Sequence, residues 1–372
     1  MEKKIVLYIL LVFAMSACGG KQTTGEKSEG DTISMCYARN LTMVQHDGYT
    51  EVFIRNPWDT TTVLHHYSLD ERPGANPDKN VTHVHVPLRR AGIFTAVHCG
   101  LVKELGCEPA IRGISEIEYI NIASIKKAVA EGRVANFGSA MQPSIESIMD
   151  AQCDALLISP FENSGGYGRV ERLGIPIIEC ADYMEFSPLA RAEWMRFYGR
   201  LFGVGQRADS LFIEVEQRYL TLRELAGKAN TRPSLIAEKP YSGVWYVPGG
   251  ASAMGVLYHD AGANYLYHDR HKNGSLALSV ETVFEKGQQA DIWLIKYNQA
   301  TPLTRSQLKS DYPPFAHFRS FQTGRIYGCN QETSRFYEET PYHPDRLLAS
   351  LVQIIHPELG INCEKQYFCR VE

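Results

Sequence analysis

The sequence predicts an α/β protein of two Rossmann-like α/β lobes joined by a single long helix. Three observations lead there. Strand-like and helix-like runs alternate through the first half of the chain and resume in the second, which marks mainly parallel sheets with helices on their faces. An unbroken stripe of 3.6-residue period separates the two halves. One phrase occurs twice, as SIESIMDAQCDALLI (144–158) and SVETVFEKGQQADIWLI (279–295).

The chain opens with Lys3 and Lys4, an apolar run from Ile5 to Ala14, and small residues Ser16 and Ala17 before Cys18. This is the layout of a secretory signal, and the run is too short for a comfortable membrane span. Residues 1–18 therefore read as a signal peptide. The polar stretch GGKQTTGEKSEGD that follows places a flexible tether over 19–35. Losing two lysines and one glutamate with the signal moves the formal charge from -4 to -5. That mild acidity argues against nucleic acid as a partner. Eight cysteines remain, none in a CxxC zinc pattern. Cys153 and Cys180 read as buried thiols, and Cys363 with Cys369 as a disulfide closing a short loop.

Within the first lobe (36–205), LTMVQHDGYTEVFIR (41–55) reads as a hairpin about Asp47-Gly48. VTHVHVP (81–87) and RAGIFTAVHC (90–99) read as strands, with a helix from Leu101 to Leu105 ended by Gly106. Helix SIKKAVAEGRV, helix SIESIMDAQ, strand DALLISP, a helix ended by VERLG and strand IPIIEC follow. SPLARAEWMRFYGRLFG (187–203) is one helix with Pro188 at its start and Gly203 at its end. The long helix covers 206–228. Its stripe is Ala208, Leu211, Phe212, Val215, Tyr219, Leu222, Leu225 and Ala226, and at 1.5 Å per residue it spans about 30 Å, enough to bridge two lobes. The second lobe (229–372) restarts with PSLIAEKP and GVWYVPG as strands, ASAMGVLYHDAG and SVETVFEKGQ as helices, and ADIWLIKY as a strand. A helix and a short strand in PPFAHFRSFQTGRIYGC and the closing helix YHPDRLLASLVQIIHPEL complete it.

The repeated phrase puts Ser144 and Ser279 at helix N-caps and Glu146 and Glu281 in first turns. Two readings fit: ordinary capped helices, or one acid displayed on each lobe to meet two arginines of a symmetric partner.

The same phrase carries a family resemblance. Pro143-Ser144-Ile145-Glu146-Ser147-Ile148 followed by Asp154-Ala155-Leu156-Leu157-Ile158, with its counterpart Ser279-Val280-Glu281-Thr282-Val283, resembles the substrate-binding proteins of ABC importers. The class is the one that takes up iron–siderophore, haem and cobalamin and has two lobes on one stiff helix. DYMEFSPLARAEW (182–194), GVWYVPGGASAMGVLYHDAGANY (243–265) and YHPDRLLASLVQIIHPEL (342–359) are similar to a branch common among lipoproteins of gut-type Gram-negative bacteria. The resemblance covers roughly residues 80 to 357. It implies a lipobox at Met15-Ser16-Ala17-Cys18 with acylated Cys18 as a membrane anchor in the periplasm. It also implies Glu146 and Glu281 docking on arginines of a permease dimer, a monomeric binding protein, and a metal chelate as the ligand.

Ligands of open α/β sheets bind at the carboxyl ends of strands, which with two lobes means the cleft between them. The loops there offer His98; Ser139, Met141 and Gln142; Phe161, Glu162, Asn163 and Tyr167; and, from the second lobe, Tyr241, Trp245, Tyr246, Gly249 and Gly250. Large planar or macrocyclic ligands need aromatic walls. Trp245 and Tyr246 alternate on a strand, so one of them faces the core. His83 with His85, and His259, His268 and His271, are the candidates for free zinc or manganese, but a chelated metal needs no protein ligands. No hydrolase elbow, P-loop, HExxH or dinucleotide glycine motif occurs, so neither catalytic residue nor cofactor is assigned. Glu146 and Glu281 on separate lobes do not suit a glycosidase pair, and a glycan-scavenging surface lipoprotein would instead require β-rich modules.

Overall fold

The computed structural model describes residues 30–162 and 166–372. Cys18, the signal, most of the tether and Asn163 lie outside the described residues. No described helix is long and apolar enough to cross a membrane.

Three five-stranded sheets organise the chain. The first is a mixed sheet in sequential order, β1 (Asp31–Ile33), β2 (Leu41–His46), β3 (Tyr49–Arg55), β4 (Val63–Asp70) and β5 (Thr82–His85). The β2–β3 turn is the expected Asp47-Gly48 hairpin, with Gly48 at φ 82°. Two corrections arise here. Asp31–Ile33 is a strand paired with β2, although the tether was drawn through residue 35. VTHVHVP belongs to this separate sheet, which reading the first lobe as one βα series from residue 36 did not foresee.

The second sheet is wholly parallel, in order β10-β9-β6-β7-β8, from β6 (Ala91–Ile93), β7 (Ile111–Ser115), β8 (Ala135–Gly138), β9 (Ala155–Ile158) and β10 (Ile177–Glu179). RAGIFTAVHC is strand only to Ile93. Thr95 then accepts from the His98 N–H and caps helix α1 (Ala96–Glu104), so the run is half helix. Helices α2 (Ala123–Ala130) and α3 (Ile145–Ala151) follow β7 and β8 in sequence. The helical block 187–203 divides into α4 (Pro188–Glu193) and α5 (Met195–Leu201) about the fully buried Trp194.

The accessory sheet is fixed to this lobe by buried acids. Glu193 accepts the backbone N–H groups of Cys36, Tyr37 and Ala38 at 2.8 Å each, and Glu185 those of Arg39 and Asn40. Tyr67 reaches across from β4 to the edge strand β10.

Helix α6 (Gly205–Gly227) connects the lobes. Its buried Ala208, Phe212 and Val215 join the first-lobe core, while Tyr219 and Ala226 join the second. The third sheet orders β13-β11-β15-β16-β17, from β11 (Ser234–Ala237), β13 (Asn264–Tyr265), β15 (Ile292–Tyr297), β16 (Ile326–Asn330) and β17 (Cys369–Arg370). It is parallel except for the edge strand β17. A two-stranded ribbon, β12 (Val244–Pro248) with β14 (Ser275–Ser279), accompanies it. Helices α7 (Ala253–Asp260), α8 (Val280–Gly287) and the closing helix Pro344–Ile355 pack in this lobe. The expected Cys363–Cys369 disulfide is not formed, and all eight described cysteines are free. Pairing with β16 holds Cys369 at the sheet edge, while the Cys363 thiol donates to Gln353 of the closing helix at 2.9 Å.

Candidate ligand site

The carboxyl ends of the first-lobe strands surround a cavity of about 730 Å³. Its lining comes from the loops after β6, β8 and β9 and includes Phe94, Met141, Gln142, Phe161, Tyr167 and Arg169. A smaller hollow of about 270 Å³ adjoins it, sharing Thr95, Ser159 and Phe161 and adding His98, Tyr183 and Arg191. Among the described residues, neither lining contains a carboxylate. Met141 is 72% exposed and Phe161 46%, large apolar surfaces left open at the mouth of a cavity.

A buried polar cluster underlies the smaller hollow. His98 Nδ1 lies 2.5 Å from Thr95 Oγ1, and its Nε2 lies 2.9 Å from Asp182 Oδ1 and 3.1 Å from the Tyr198 hydroxyl. Burial alone would push the imidazole down, but Cys180 and Asp182 beside it outweigh burial and hold it up at about 10. Burial would likewise raise Asp182, yet His98 and Arg191 hold it down at about 2. Arg191 donates through Nε to Asp182 Oδ2 at 3.0 Å while lining the hollow. His98 and Arg191 thus share the Asp182 carboxylate beneath the hollow, and the Arg191 guanidinium reaches the lining. Of the residues named from sequence, His98, Met141, Gln142, Phe161 and Tyr167 converge here, His98 as a buried support with 2% of its surface exposed. Arg169, Tyr183, Arg191 and Asp182 were missed. Arg191 and Asp182 stand inside DYMEFSPLARAEW, a phrase that carried the family resemblance and gave neither residue a role.

The second-lobe residues divide. Tyr241 and Val244 exchange backbone hydrogen bonds at 2.8 and 3.1 Å around Ser242 and Gly243, both at positive φ, a two-residue hairpin turn that leaves Tyr241 77% exposed. Tyr246 is half-exposed. Trp245 corrects the sequence reading: it has no exposed surface and cannot line a cleft. The strand alternation points it into the core, against Trp293, Phe315 and Phe318, and its Nε1 donates to Ala237 O at 3.1 Å. Gly249 and Gly250 serve backbone packing, since an added Cβ would stand 2.2 Å from the carbonyl oxygens of Lys272 and His268 respectively.

No group of three or more His, Cys, Asp or Glu side chains able to hold a metal ion occurs among the described residues. His83 is paired with Asp70 at 2.6 Å, His259 sits beside Asp260 at 3.4 Å, and His268 Nδ1 lies 2.8 Å from Tyr265 O. The other two acids named from sequence stand apart from the cavity lining. Ser144 accepts from the Ser147 N–H and Ser279 from the Thr282 N–H, and Glu146 and Glu281 project from the first turns of α3 and α8, both exposed.

The sequence profile of the periplasmic binding protein family matches residues 96–333. The chain belongs to that family. The match leaves the accessory sheet outside it. An uncharacterized lipoprotein of Methanocaldococcus jannaschii is 24% identical over 298 residues, 77% of this chain and 70% of that protein. Among solved structures, a periplasmic heme binding protein from Pseudomonas aeruginosa aligns with a TM-score of 0.60 at 17% identity, covering 77% of this chain and 98% of that one. A possible iron-binding periplasmic solute-binding protein from Staphylococcus epidermidis aligns with 0.57 at 17% identity, covering 73% and 99%. These likenesses establish the two-lobed periplasmic binding protein fold.

Proposed function

We propose that this periplasmic binding protein is the substrate-binding lipoprotein of an ABC importer, anchored through Cys18, that captures a metal chelate in the interlobe cleft and delivers it to its permease. The ligand is of the iron–siderophore, haem or cobalamin kind, and the structure favours its anionic members. The observation that carries this reading is the first-lobe cavity: about 730 Å³, open at a rim of Met141 and Phe161, with Tyr167 and Arg169 in its wall and Arg191 in the adjoining hollow. Aromatic and thioether surface suits a large planar or macrocyclic body, and guanidinium groups in a lining without carboxylates among the described residues suit carboxylate or catecholate oxygens. Tyr241 and Tyr246, exposed on the second lobe, are the proposed facing wall. Solved structures with this fold include a heme binding protein and a possible iron-binding protein, which supports the ligand class. In this reading the chain binds and releases without turnover.

The test is absorption spectroscopy of the protein purified from its native periplasm, followed by titration of the mature protein with haemin, cyanocobalamin, an iron(III) tris-catecholate and an iron(III) tris-hydroxamate. One-to-one binding of an anionic chelate, weakened by Phe161→Ala and Arg191→Gln, is expected. Preferential binding of cyanocobalamin or of the uncharged tris-hydroxamate would sink the anionic preference, and binding of none while free zinc or manganese binds would sink the chelate reading.

A further inference from the structure

We propose that Glu179 is a positioning residue for the cavity wall, holding Tyr167 through its carboxylate so that the wall is firm when Glu179 is ionised and loose when it is neutral. The inference rests on the reading of the cavity as the ligand site. Glu179 ends the edge strand β10 and is absent from the cavity lining itself. Its backbone is fixed from outside the lobe. Tyr67, fully buried, donates through its hydroxyl to Ile177 O and accepts the Glu179 N–H, both at 2.9 Å. The accessory sheet, which the family profile does not reach, therefore sets the last turn of chain before the carboxyl group.

The side chain has one weak partner and one missing one. The Tyr167 hydroxyl donates to Oε1 at 3.4 Å, and Oε2 is buried with no partner. A carboxylate oxygen so placed is costly to charge. Burial pushes the carboxyl up to about 7, repulsion from Glu171 adds to it, and only the Tyr167 contact opposes it. Among the described residues, the titratable groups facing this site are Tyr67 from the accessory sheet, Tyr167 and Glu171 from the segment before β10, and Cys180 and Tyr183 after it. None of them is a cation. Ionisation therefore has one local means of compensation, a stronger bond from Tyr167, because hydrogen bonds to a charged acceptor are roughly twice as strong as neutral ones. Protonation relaxes that bond and frees a side chain that lines the cavity.

The direct test needs no ligand. In the mature protein carrying ring-labelled tyrosine, the Tyr167 signal is assigned by its loss in Tyr167→Phe and followed across roughly pH 5 to 9. A step near neutrality that disappears in Glu179→Gln is expected. A flat Tyr167 profile, or a step that survives Glu179→Gln, overturns the proposal. The binding arm uses the iron(III) tris-catecholate. Its affinity should rise several-fold from acid to neutral pH in the wild type and stay level in both Glu179→Gln and Tyr167→Phe. If Tyr167→Ala leaves affinity unchanged, the cavity reading fails whatever the titration shows. If Tyr167→Ala weakens binding but the pH profile of Glu179→Gln matches wild type, only the positioning role fails.

Discussion

Asp154 and Asp291 stand at equivalent points of the two lobes and do the same thing there. Asp154, just before β9, accepts the backbone N–H groups of Arg89 and Arg90 at 2.8 Å, where the chain enters the neighbouring strand β6. Asp291, just before β15, accepts the N–H and hydroxyl of Ser234 at 2.9 and 2.7 Å, where the chain enters the neighbouring strand β11. Each aspartate closes the amino end of a parallel strand pair whose first N–H groups would otherwise lack partners. The repeated phrase is thus a structural unit: capped helix, aspartate, apolar strand.

The two aspartates should differ in weight. Asp154 is exposed, whereas Asp291 is partly buried, also receives Arg319 at 3.1 Å, and takes the Ser234 hydroxyl in a closed pair of bonds. Asp291→Ala should destabilise by about 1–3 kcal/mol and Asp154→Ala by about 1 kcal/mol or less. Urea unfolding of the two variants checks the order, and equal losses would contradict it.

His98 and Asp182 form a pair with almost no exposed surface beneath the cavity. His98→Leu removes one partner of a buried carboxylate that keeps Arg191 and Tyr198, so it should cost about 1–3 kcal/mol. The pH dependence follows from the two shifts. Asp182 is held low, so its contribution is present above the ordinary aspartate range and is lost as pH falls toward about 2. His98 is held high, so its contribution is full below the ordinary histidine range and is lost as pH rises through about 10. Thermal unfolding should therefore show a wild-type advantage over His98→Leu that shrinks between neutrality and about pH 10. A gap constant over that window would show that His98 is neutral in the folded protein.

Trp245 separates structure from binding. With its ring stacked on Phe318 and packed against Trp293 and Phe315, Trp245→Ala should cost about 3–5 kcal/mol, as large aromatic deletions in cores do. Tyr241→Ala removes an exposed ring and should leave stability within about 0.5 kcal/mol while weakening chelate binding. Parallel denaturation and titration decide the matter. A stable Trp245→Ala with lost affinity would return Trp245 to the cleft.

Helix α6 carries no proline and no interior glycine between its terminal residues. It is built into both cores through Phe212 and Tyr219, and its 23 residues span about 35 Å. Such a strut lacks the usual causes of a kink. Small-angle scattering with and without bound chelate should show nearly the same radius of gyration, and a large compaction would reveal a hinge elsewhere.

What was legible in the sequence had a period or a cap. The stripe of α6, the two capped helices and the apolar strands after Asp154 and Asp291 repeat at spacings that local physics dictates. The predicted 187–203 helix divides at Trp194, a fully buried indole whose Nε1 donates to Glu185, a tertiary contact that local propensity does not record. Glu185 and Glu193 carry no local signal of burial, yet they are buried and satisfy backbone N–H groups some 145 to 157 residues away in sequence. The cavity arginines were hidden for the same reason: Arg191 gains its meaning from Asp182 and His98, which only the folded lobe brings together.

Glu146 and Glu281 project from the first turns of α3 and α8, exposed, each beside a serine cap in its own lobe. Neither appears in the lining of the first-lobe cavity. An exposed first-turn acid contributes typically under about 1 kcal/mol to stability, so the fold has little need of either. Their service is proposed to be electrostatic docking on arginines of a permease dimer, where charge complementarity governs capture more than fold. Glu146→Ala combined with Glu281→Ala should leave the unfolding midpoint and chelate affinity close to wild type while weakening capture by the reconstituted permease and slowing uptake. Reversing both to Arg should be worse than truncation, because like charges would then face each other. Added salt should weaken wild-type capture and leave the double alanine variant less affected. If the double variant loses chelate affinity and keeps permease capture, the acids serve the ligand and the docking proposal is wrong.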